Sequence, residues 1–397
     1  MFWLTAALLL VPPSAVSAPP DAALSDSALS IEQAVSLARK QHPKLLAARA
    51  QREAAAAQVG VALAPLLPQL GLTVGYQRMT GNAAPRPGQG AGVEIDPNFD
   101  GFNYFSAALT LNQLVWDFGQ TTARWHAAQA TEDAAATNLR TARLDIEAGV
   151  RLAFVAAWGQ KALLEVAEEN QRSELRHLRQ VELLVAADVR PAVELAKSRA
   201  LVANAEANRL AALGALQGAM AQLAQAVGLE ALPTQTLSEA AIGPVPGEDG
   251  EPEVAVAVAL KRRPEPKALE YTREAQGLLA EAARDAYWPS FGVTLGVTDA
   301  GIDIENLGWN MSAGIGLTWN FYQGGLSERQ ATAAEALAEA AAAAAESARH
   351  TIRFEVNQAL IELRTAKAQI AASDEAVVQA REQVRLAWKR GVNPRVY

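Results

Sequence analysis

The sequence contains no cysteine, and this absence excludes two classes of structure. Disulfide frameworks and thiolate metal sites both need cysteine, and so does a lipid anchor on an N-terminal cysteine. Basic charge is also scarce: among 397 residues there are 35 Lys and Arg against 43 Asp and Glu, a formal net charge of −8. Such a chain has no basic field that would neutralise phosphates, so no nucleic acid is expected among its partners.

Motifs of catalysis are missing as well. The four histidines are far apart in the chain, and no two of them lie four residues apart on one helix face: His42, His126, His177 and His350. Neither a G-x-S-x-G motif nor a P-loop occurs. The glycine-rich segment 88–92 has no helix after it and is not a phosphate cradle. We therefore expect no enzyme activity, no cofactor and no metal site.

Long hydrophobic runs are absent beyond the N-terminus. Phe2–Val11 is apolar and is followed by small residues up to Ala18, which predicts a secretory signal peptide over 1–18. No Lys or Arg precedes the apolar core and Pro19 would follow the cut, so a short buried helix is the alternative. No later run reaches the roughly 18 apolar residues that a membrane helix needs.

What the sequence does contain is alternation with a period of two. From 309 to 321 the odd positions are apolar and the even positions are small or polar. Successive side chains of a strand point to opposite faces, so this segment predicts one apolar face and one polar face. About 9–11 such residues cross a bilayer as a tilted strand. A half-buried strand of a soluble sheet is the alternative for this segment alone.

Three further segments alternate in the same way: 70–77, 105–112 and 291–298. The four segments predict two hairpins, one in each half of the chain. Aromatic residues on the apolar positions are typical of strands anchored at lipid–water interfaces, and we expect these to face lipid: Tyr76, Phe105, Phe291, Trp309, Trp319 and Phe321. Four strands cannot close a membrane barrel alone, so membrane strands here require an oligomer.

Helical sequence fills most of the remaining chain. Residues 119–187 contain no proline and predict about 100 Å of helix, and further helices are predicted over 192–228 and 325–390. Alanine dominates these segments where leucine would dominate a globular core. Small residues let helices pack closely, which favours a coiled coil or a helical barrel. An exported chain with amphipathic strands and no membrane helix indicates the outer membrane of a Gram-negative cell.

The chain contains an internal duplication. Pro68 and Pro289 stand where the two hairpins start, each at the same interval after an X-Pro break, His42-Pro43 and Arg263-Pro264. The predicted division is a signal peptide over 1–18, a first repeat over 19–229, a linker over 230–252 and a second repeat over 253–397. The predicted fold class is mainly α with membrane β-strands, in two tandem repeats of long antiparallel helices plus a β-hairpin.

The two repeats differ in length. The second reaches Tyr397 before any counterpart of the helix predicted over 192–228, so its last helix is missing. We expect the natural gene to continue for about 35 more helical residues.

Three stretches carry a specific resemblance to a known family: Ser30-Ile31-Glu32-Gln33-Ala34 with His42-Pro43, Leu111–Gly119, and Asn320–Gly325. The duplicated plan extends this resemblance over the whole mature chain. They resemble the TolC family of outer-membrane efflux proteins. The resemblance implies a homotrimer in outer-membrane lipid, with four strands per chain in one β-barrel and a trimeric α-barrel as a periplasmic tunnel. It also implies a periplasmic adaptor protein and an inner-membrane transporter as partners, in efflux or type I secretion.

The resemblance also implies a constricted pore entrance at the periplasmic tip, where a helical turn carries a glycine and, six residues later, an acid. Asp188 replaces the first glycine and Glu194 falls at the acidic position. Gly391 matches in the second repeat, where Tyr397 stands at the acidic position. Arg190 and Arg395 complete the predicted tip residues, and Arg190 could pair with a neighbouring acid. A solvated helix-surface carboxylate is the alternative for Glu194.

Two readings outside the conduit remain open at this point. The shortened second repeat is compatible with a non-conducting or degenerate envelope coiled-coil protein that lacks a complete tunnel. A wholly soluble coiled coil is the third reading, and it leaves the four amphipathic strands unexplained.

Overall fold

A computed structural model of the protein describes residues 28–80, 99–230, 237–238, 243–245 and 247–389. The predicted signal peptide, most of the loop between the first two strands, and the predicted tip residues Gly391 and Arg395 lie outside the described residues.

The described chain is mainly helical with one antiparallel sheet, and the predicted fold class is confirmed. A short 3-10 turn, Ala64–Leu66, precedes the first strand. The elements are α1 (Ile31–Gln41), α2 (Pro43–Leu63), β1 (Gln69–Thr80), β2 (Gly101–Trp116), α3 (Gln120–Ala186), α4 (Ala192–Val227), α5 (Pro252–Arg262), α6 (Glu265–Asp285), β3 (Ser290–Gly301), β4 (Gly308–Thr318) and α7 (Leu326–Lys389).

The strands and helices form one continuous wall. The sheet order is β1-β2-β3-β4, and the helices joined to these strands, α2, α3, α6 and α7, contact one another in the same order. α3 has 67 residues and α7 has 64, which is about 100 Å each at 1.5 Å per residue. The helical layer therefore extends the sheet along one axis.

The fourth strand ends earlier than its alternation predicted. β4 stops at Thr318, which pairs with Ser290, rather than at Phe321. The residue before Ser290 is Pro289, which has no N–H to donate, so the neighbouring strand offers nothing further to pair with. The indole of Trp319 instead donates to the Tyr287 carbonyl at 3.0 Å.

The start of the helical region is set by two caps. Ser30 and Gln33 form the capping box of α1, with Ser30 N–H donating to Gln33 Oε1 at 2.9 Å and Gln33 N–H to Ser30 Oγ at 3.2 Å. His42 then ends α1 and caps α2, where its Nδ1 accepts the Lys44 N–H at 3.2 Å. Pro43 follows at the first helical position, where its missing N–H and fixed φ suit the helix.

Alanine fills most of the contacts between the long helices. α6 lies between α3 and α7, and the buried alanines of this layer are Ala123, Ala127, Ala130, Ala134, Ala268, Ala275, Ala283, Ala331, Ala334, Ala341 and Ala345. The larger buried side chains gather where α1, α2, α3 and α4 meet: Leu45, Val150, Phe154, Leu223 and Val227. This junction is the conventional hydrophobic core of the described chain.

The passage from β2 to α3 depends on an unusual backbone. Phe118 and Gly119 both have positive φ, 56° and 104°. Asp117 is buried, and its Oδ2 accepts the Thr121 N–H at 2.8 Å, which caps the helix. A Cβ on Gly119 would lie 3.3 Å from Oδ2 of Asp285 at the end of α6. Only glycine fits both the backbone angle and this space.

Gly119→Ala should lower the free energy of unfolding by about 1–3 kcal/mol, because alanine rarely adopts this φ and its methyl group meets Asp285. Gly159→Ala is the matched control within α3: a Cβ there meets nothing within 4 Å, and we expect a gain of roughly 0.5–1 kcal/mol. Thermal unfolding followed by circular dichroism measures both. Equal effects of the two variants would contradict this account of the junction.

The cap of α2 should make stability depend on pH. His42 is 8% exposed, and burial, with the nearby Lys44 charge, lowers its pKa below the usual 6.5. The unfolded chain therefore binds this proton more readily, so the free energy of unfolding should fall as pH drops below about 6.5. Protonation would also remove the Nδ1 acceptor and place a cation at a helix N-terminus.

His42→Asn keeps a cap that does not titrate, so it should flatten the pH dependence of the unfolding midpoint between pH 7.5 and 5.5. The exposed His126 gives a control variant, His126→Asn, which should leave the dependence unchanged. A slope that survives His42→Asn in full would assign it to another group.

Candidate functional site

One face of the sheet carries most of the apolar residues of the four strands. The antiparallel register aligns Leu72 with Leu109, Leu109 with Val297, and Val297 with Met311. Directly paired residues point to the same side of a sheet, so such a row crosses the whole sheet on one face. Val74 is 74% exposed and Ile315 is 83% exposed on this face. An apolar surface this broad needs a covering of lipid or protein.

The opposite face is polar and crowded with small residues. The row through Thr110, Gly296 and Ser312 is typical, and in the next row Thr294 Oγ1 donates to Asn112 Oδ1 at 3.0 Å. On this face no position of the four described strands carries a charge. The face is therefore mainly polar and uncharged.

The two charged residues of the described strands lie on the apolar face, close to its end away from the helices. Arg78 donates to Asn103 Oδ1 at 3.1 Å, and Asp299 pairs in register with Trp309. Tyr76 and Phe105 lie at the same end, with ring centroids 5.1 Å apart. Charges and aromatic rings together are typical of an interface with water rather than of a hydrocarbon interior.

A second group of aromatic residues marks the end of the sheet near the helices. Phe291 pairs in register with Leu317 there, and Phe118 stacks on Trp288 with centroids 5.6 Å apart. The rings of Trp319 and Phe321 are 6.2 Å apart and lie just beyond β4. Pro68 and Pro289 directly precede β1 and β3 at this end. The lipid-facing role of the predicted aromatics stays a prediction.

Sequence alternation missed four aromatic residues at this end: Trp116, Phe118, Tyr287 and Trp288. A register shift between Leu114 and Trp116 places Trp116 opposite Phe291. The inserted residue breaks the period of two, so the alternation rule assigns Trp116 to the wrong face. In the sequence, these four residues could have been recognised because they cluster with other aromatic residues just outside the predicted strands.

One polar side chain interrupts the apolar face near the helices. Gln113 pairs with Val293 on this face, and its Nε2 donates to the carbonyl oxygens of Leu66 at 3.0 Å and Leu114 at 2.7 Å. Both donors of the amide are therefore satisfied by backbone. The contact also holds the 3-10 turn before β1 against β2.

The two outer strands each have only one neighbour. β1 pairs with β2, β4 pairs with β3, and no further strand covers either edge in the described chain. Each edge presents unpaired N–H and C=O groups along its length. An edge of this kind cannot face hydrocarbon, where every backbone polar group must be satisfied.

At the other end of the wall, a tight turn joins α3 to α4. Val189 N–H donates to the Leu184 carbonyl at 2.9 Å and Asp188 N–H to Val185 at 3.0 Å, which is the Schellman arrangement. Asp188 occupies the left-handed position with φ 50°, where glycine is the usual residue. The sequence comparison between the two repeats showed that Asp188 replaces a glycine. The structure adds that Asp188 therefore adopts a left-handed backbone conformation that glycine adopts more easily.

The other predicted tip residues have local roles in the described turn. Glu194 lies in the first turn of α4, where its carboxylate suits the helix N-terminus, and it pairs with Lys197 at 3.0 Å. Arg190 is half-buried and makes no ion pair with the described residues, so the suggested pairing does not occur within this part of one chain. A role at a pore entrance remains a prediction for Asp188, Arg190 and Glu194.

Exposed apolar side chains also lie at the tip, beside its charged residues. Leu183 is 73% exposed, Val189 67% and Val193 56%, all within or beside the turn. Within the described residues, α4 is also long and apolar enough by composition to cross a membrane, and it packs along α3. The expectation from sequence that no segment after the N-terminus is apolar enough for a membrane helix was wrong. The apolar composition of α4 comes from many alanines rather than from a continuous leucine-rich run.

Comparison with known proteins gives a family match over most of the chain. The sequence model of the family described as outer membrane efflux protein matches residues 34–229 and 255–392. The unmatched interval, 230–254, surrounds the predicted linker. Two matched blocks are what a duplicated chain is expected to give.

Individual relatives agree with this match. Protein CyaE of Bordetella pertussis is 26% identical over 359 residues, covering 89% of this chain and 73% of that protein. Outer membrane protein TolC of Escherichia coli is 26% identical over 381 residues, covering 89% and 72%. The structure of outer membrane protein VceC from Vibrio cholerae has a TM-score of 0.77 at 20% identity, covering 91% of this chain and 85% of that chain. At 20% identity, the likeness to VceC concerns the fold alone.

Asp188→Gly should raise the free energy of unfolding by about 0.5–1 kcal/mol, because glycine adopts the left-handed conformation without strain. The change also removes a negative charge from a helix C-terminus. Asp188→Ala removes the same charge but keeps a Cβ, so it should not stabilise to the same degree. Denaturant unfolding of both variants separates the effect of backbone strain from the effect of charge. Equal gains in the free energy of unfolding would refute the backbone explanation.

Proposed function

Because this chain belongs to the family of outer membrane efflux proteins, we propose that three copies close into one passive conduit from the periplasm to the exterior. The family match places the chain in the outer membrane as a channel component. Its relatives include channel proteins of the TolC type rather than enzymes. Three points go beyond the family match: the homotrimer, the passive mechanism and the partners described below.

The observation that carries the proposal is the open, two-faced sheet. Its apolar face suits lipid, its polar face suits a water-filled lumen, and its two edges are unpaired. If β1 of one copy pairs with β4 of the next, three copies form a closed barrel of about twelve strands, within the range known for outer-membrane barrels. Closure satisfies every edge hydrogen bond without another protein.

The helices extend this arrangement into the periplasm. Since each strand is joined to one helix of the antiparallel layer α2-α3-α6-α7, closing the sheets also brings three helical walls together. The result is a tunnel about 100 Å long below the membrane. Movement through such a tunnel needs no catalytic group from this chain, because the driving force comes from a partner.

The tip of α3 and α4 is the proposed docking surface for those partners. Exposed Leu183, Val189 and Val193 lie at the end farthest from the sheet, where a periplasmic adaptor protein and then an inner-membrane transporter would follow. This assembly is that of a tripartite efflux or type I secretion system. The chain would supply the outer-membrane part.

The purified protein should form a trimer and give discrete conductance steps in a planar bilayer. Native mass spectrometry in detergent reports the stoichiometry, and single-channel recording reports the pore. If the protein is monomeric or gives no conductance, the conduit proposal is wrong, and the alternative of a non-conducting envelope protein is favoured.

Two adjacent positions of β4 test which face meets lipid. Ile315→Arg places a charge on the apolar face and should destabilise the inserted protein by roughly 2–4 kcal/mol if that position lies near the bilayer midplane. Gly316→Arg is the matched control: it lies on the polar face and a Cβ there meets nothing within 4 Å. It should insert normally but lower the single-channel conductance. The reversed pattern would mean that the faces are assigned the wrong way round.

A further inference from the structure

A basic cavity lies in the helical wall where α5 meets α6. It has a volume of about 640 Å3 and is lined by residues of α3, α5, α6 and α7, including Arg140 and Arg143 on α3 and Lys261, Arg262 and Lys267 on either side of the break between α5 and α6. This volume lies within the range of small-molecule sites. The concentration of cations contrasts with the acidic charge of the whole chain.

Only some of the cations that line this cavity are neutralised. Arg349 pairs with Glu270 at 2.7 Å and with Glu346 at 3.0 Å, and Arg263 pairs with Glu355. Glu270 is the one carboxylate among the described lining residues.

The remaining cations lack such partners. Arg140, Arg143, Lys261 and Arg262 make no ion pair with any described residue, while Lys267 lies over the Tyr271 ring at 5.5 Å. Arg143 also lies close enough to Glu147 to help lower the pKa of that carboxyl. Several exposed positive charges that make no ion pair therefore line one concave space.

The start of α6 adds to this field. Pro264 is its N-cap and offers no side-chain acceptor, and Pro266 has no N–H, so the first turn of α6 presents N–H groups only at Glu265 and Lys267. Pro264, Pro266 and Lys267 all line the cavity. Helix N-termini favour anions through these N–H groups and the helix dipole. Glu265 in the same turn partly offsets the dipole, but it is not among the residues that line the cavity.

A cavity also lies at the matching break of the first repeat, and its lining is not basic. It lies at the His42-Pro43 break and has a volume of about 680 Å3. Its charged lining residues are Lys44, Asp145 and Glu230. Two cavities of similar size at matching breaks thus have opposite electrostatic character, and the first serves as an internal control for the second.

We propose that the basic cavity binds a compact phosphate compound with several negative charges. Arginine matches phosphate oxygens with two parallel hydrogen bonds, and the arginines and lysines here surround one space of suitable volume. α6 separates the cavity from the sheet by 21 residues, about 30 Å of helix. The ligand therefore comes from the aqueous compartment below the membrane rather than from a lipid headgroup layer.

Tripolyphosphate is the probe, titrated into the full-length protein in detergent by calorimetry at fixed ionic strength. We expect saturable binding at one site per chain. Arg140→Gln with Arg143→Gln should weaken it by at least about tenfold, because two charged donors are lost. Lys44→Gln, in the control cavity, should leave the affinity unchanged. Circular dichroism of each variant confirms that the helices are intact.

Four outcomes would overturn the proposal. Absence of saturable binding, or equal affinity in the Arg140/Arg143 double variant, would remove the site. Preferential binding of phosphatidylglycerol-containing micelles would assign it to lipid headgroups. Tighter binding of a hexaglutamate peptide than of tripolyphosphate would make the cavity a docking site for an acidic protein segment. None of these results depends on conduction, so the proposed conduit is tested separately.

Discussion

The unpaired backbone of β1 and β4 is the constraint on which the rest of this structure depends. In water, an edge strand can hydrogen-bond to solvent, but in hydrocarbon each unsatisfied N–H or C=O costs several kcal/mol. A four-stranded sheet with one mainly apolar face is therefore stable in a membrane only as part of a closed barrel. Closure of the sheet would also bring the helical walls together, because α2, α3, α6 and α7 each adjoin one strand of the sheet.

Closure also explains the choice of side chains in the helical layer. A wall that is one helix thick has no deep interior, and the chain fills the lateral contacts of α3, α6 and α7 with alanine. Larger core residues such as Phe154 and Leu223 occur where α1 and α4 thicken the wall. Exposed apolar residues are accordingly frequent on this isolated chain, and many of them belong to surfaces that an assembly would cover.

The duplication gives the two halves the same plan with different chemistry at equivalent positions. His42 caps a helix through its ring, whereas Arg263 at the matching break pairs with Glu355. The cavities beside these residues differ in charge in the same way. Equivalent backbone positions tolerate different side chains because the X-Pro break itself is set by proline, which restricts the residue before it whatever its side chain. Duplication thus conserves geometry and leaves surface charge free to diverge.

Sequence patterns by themselves determined the fold class, the two hairpins and the approximate limits of the long helices, because periods of 2 and 3.6 and proline breaks are local properties. Alternation failed at Trp116, where an inserted residue shifts the register, and at Thr318, where Pro289 in the neighbouring strand ends the pairing.

Only the tertiary structure decided the continuous order of strands and helices and the gathering of Arg140, Arg143 and Lys267 around one cavity. These features depend on contacts between residues far apart in the chain, and no local period encodes such contacts.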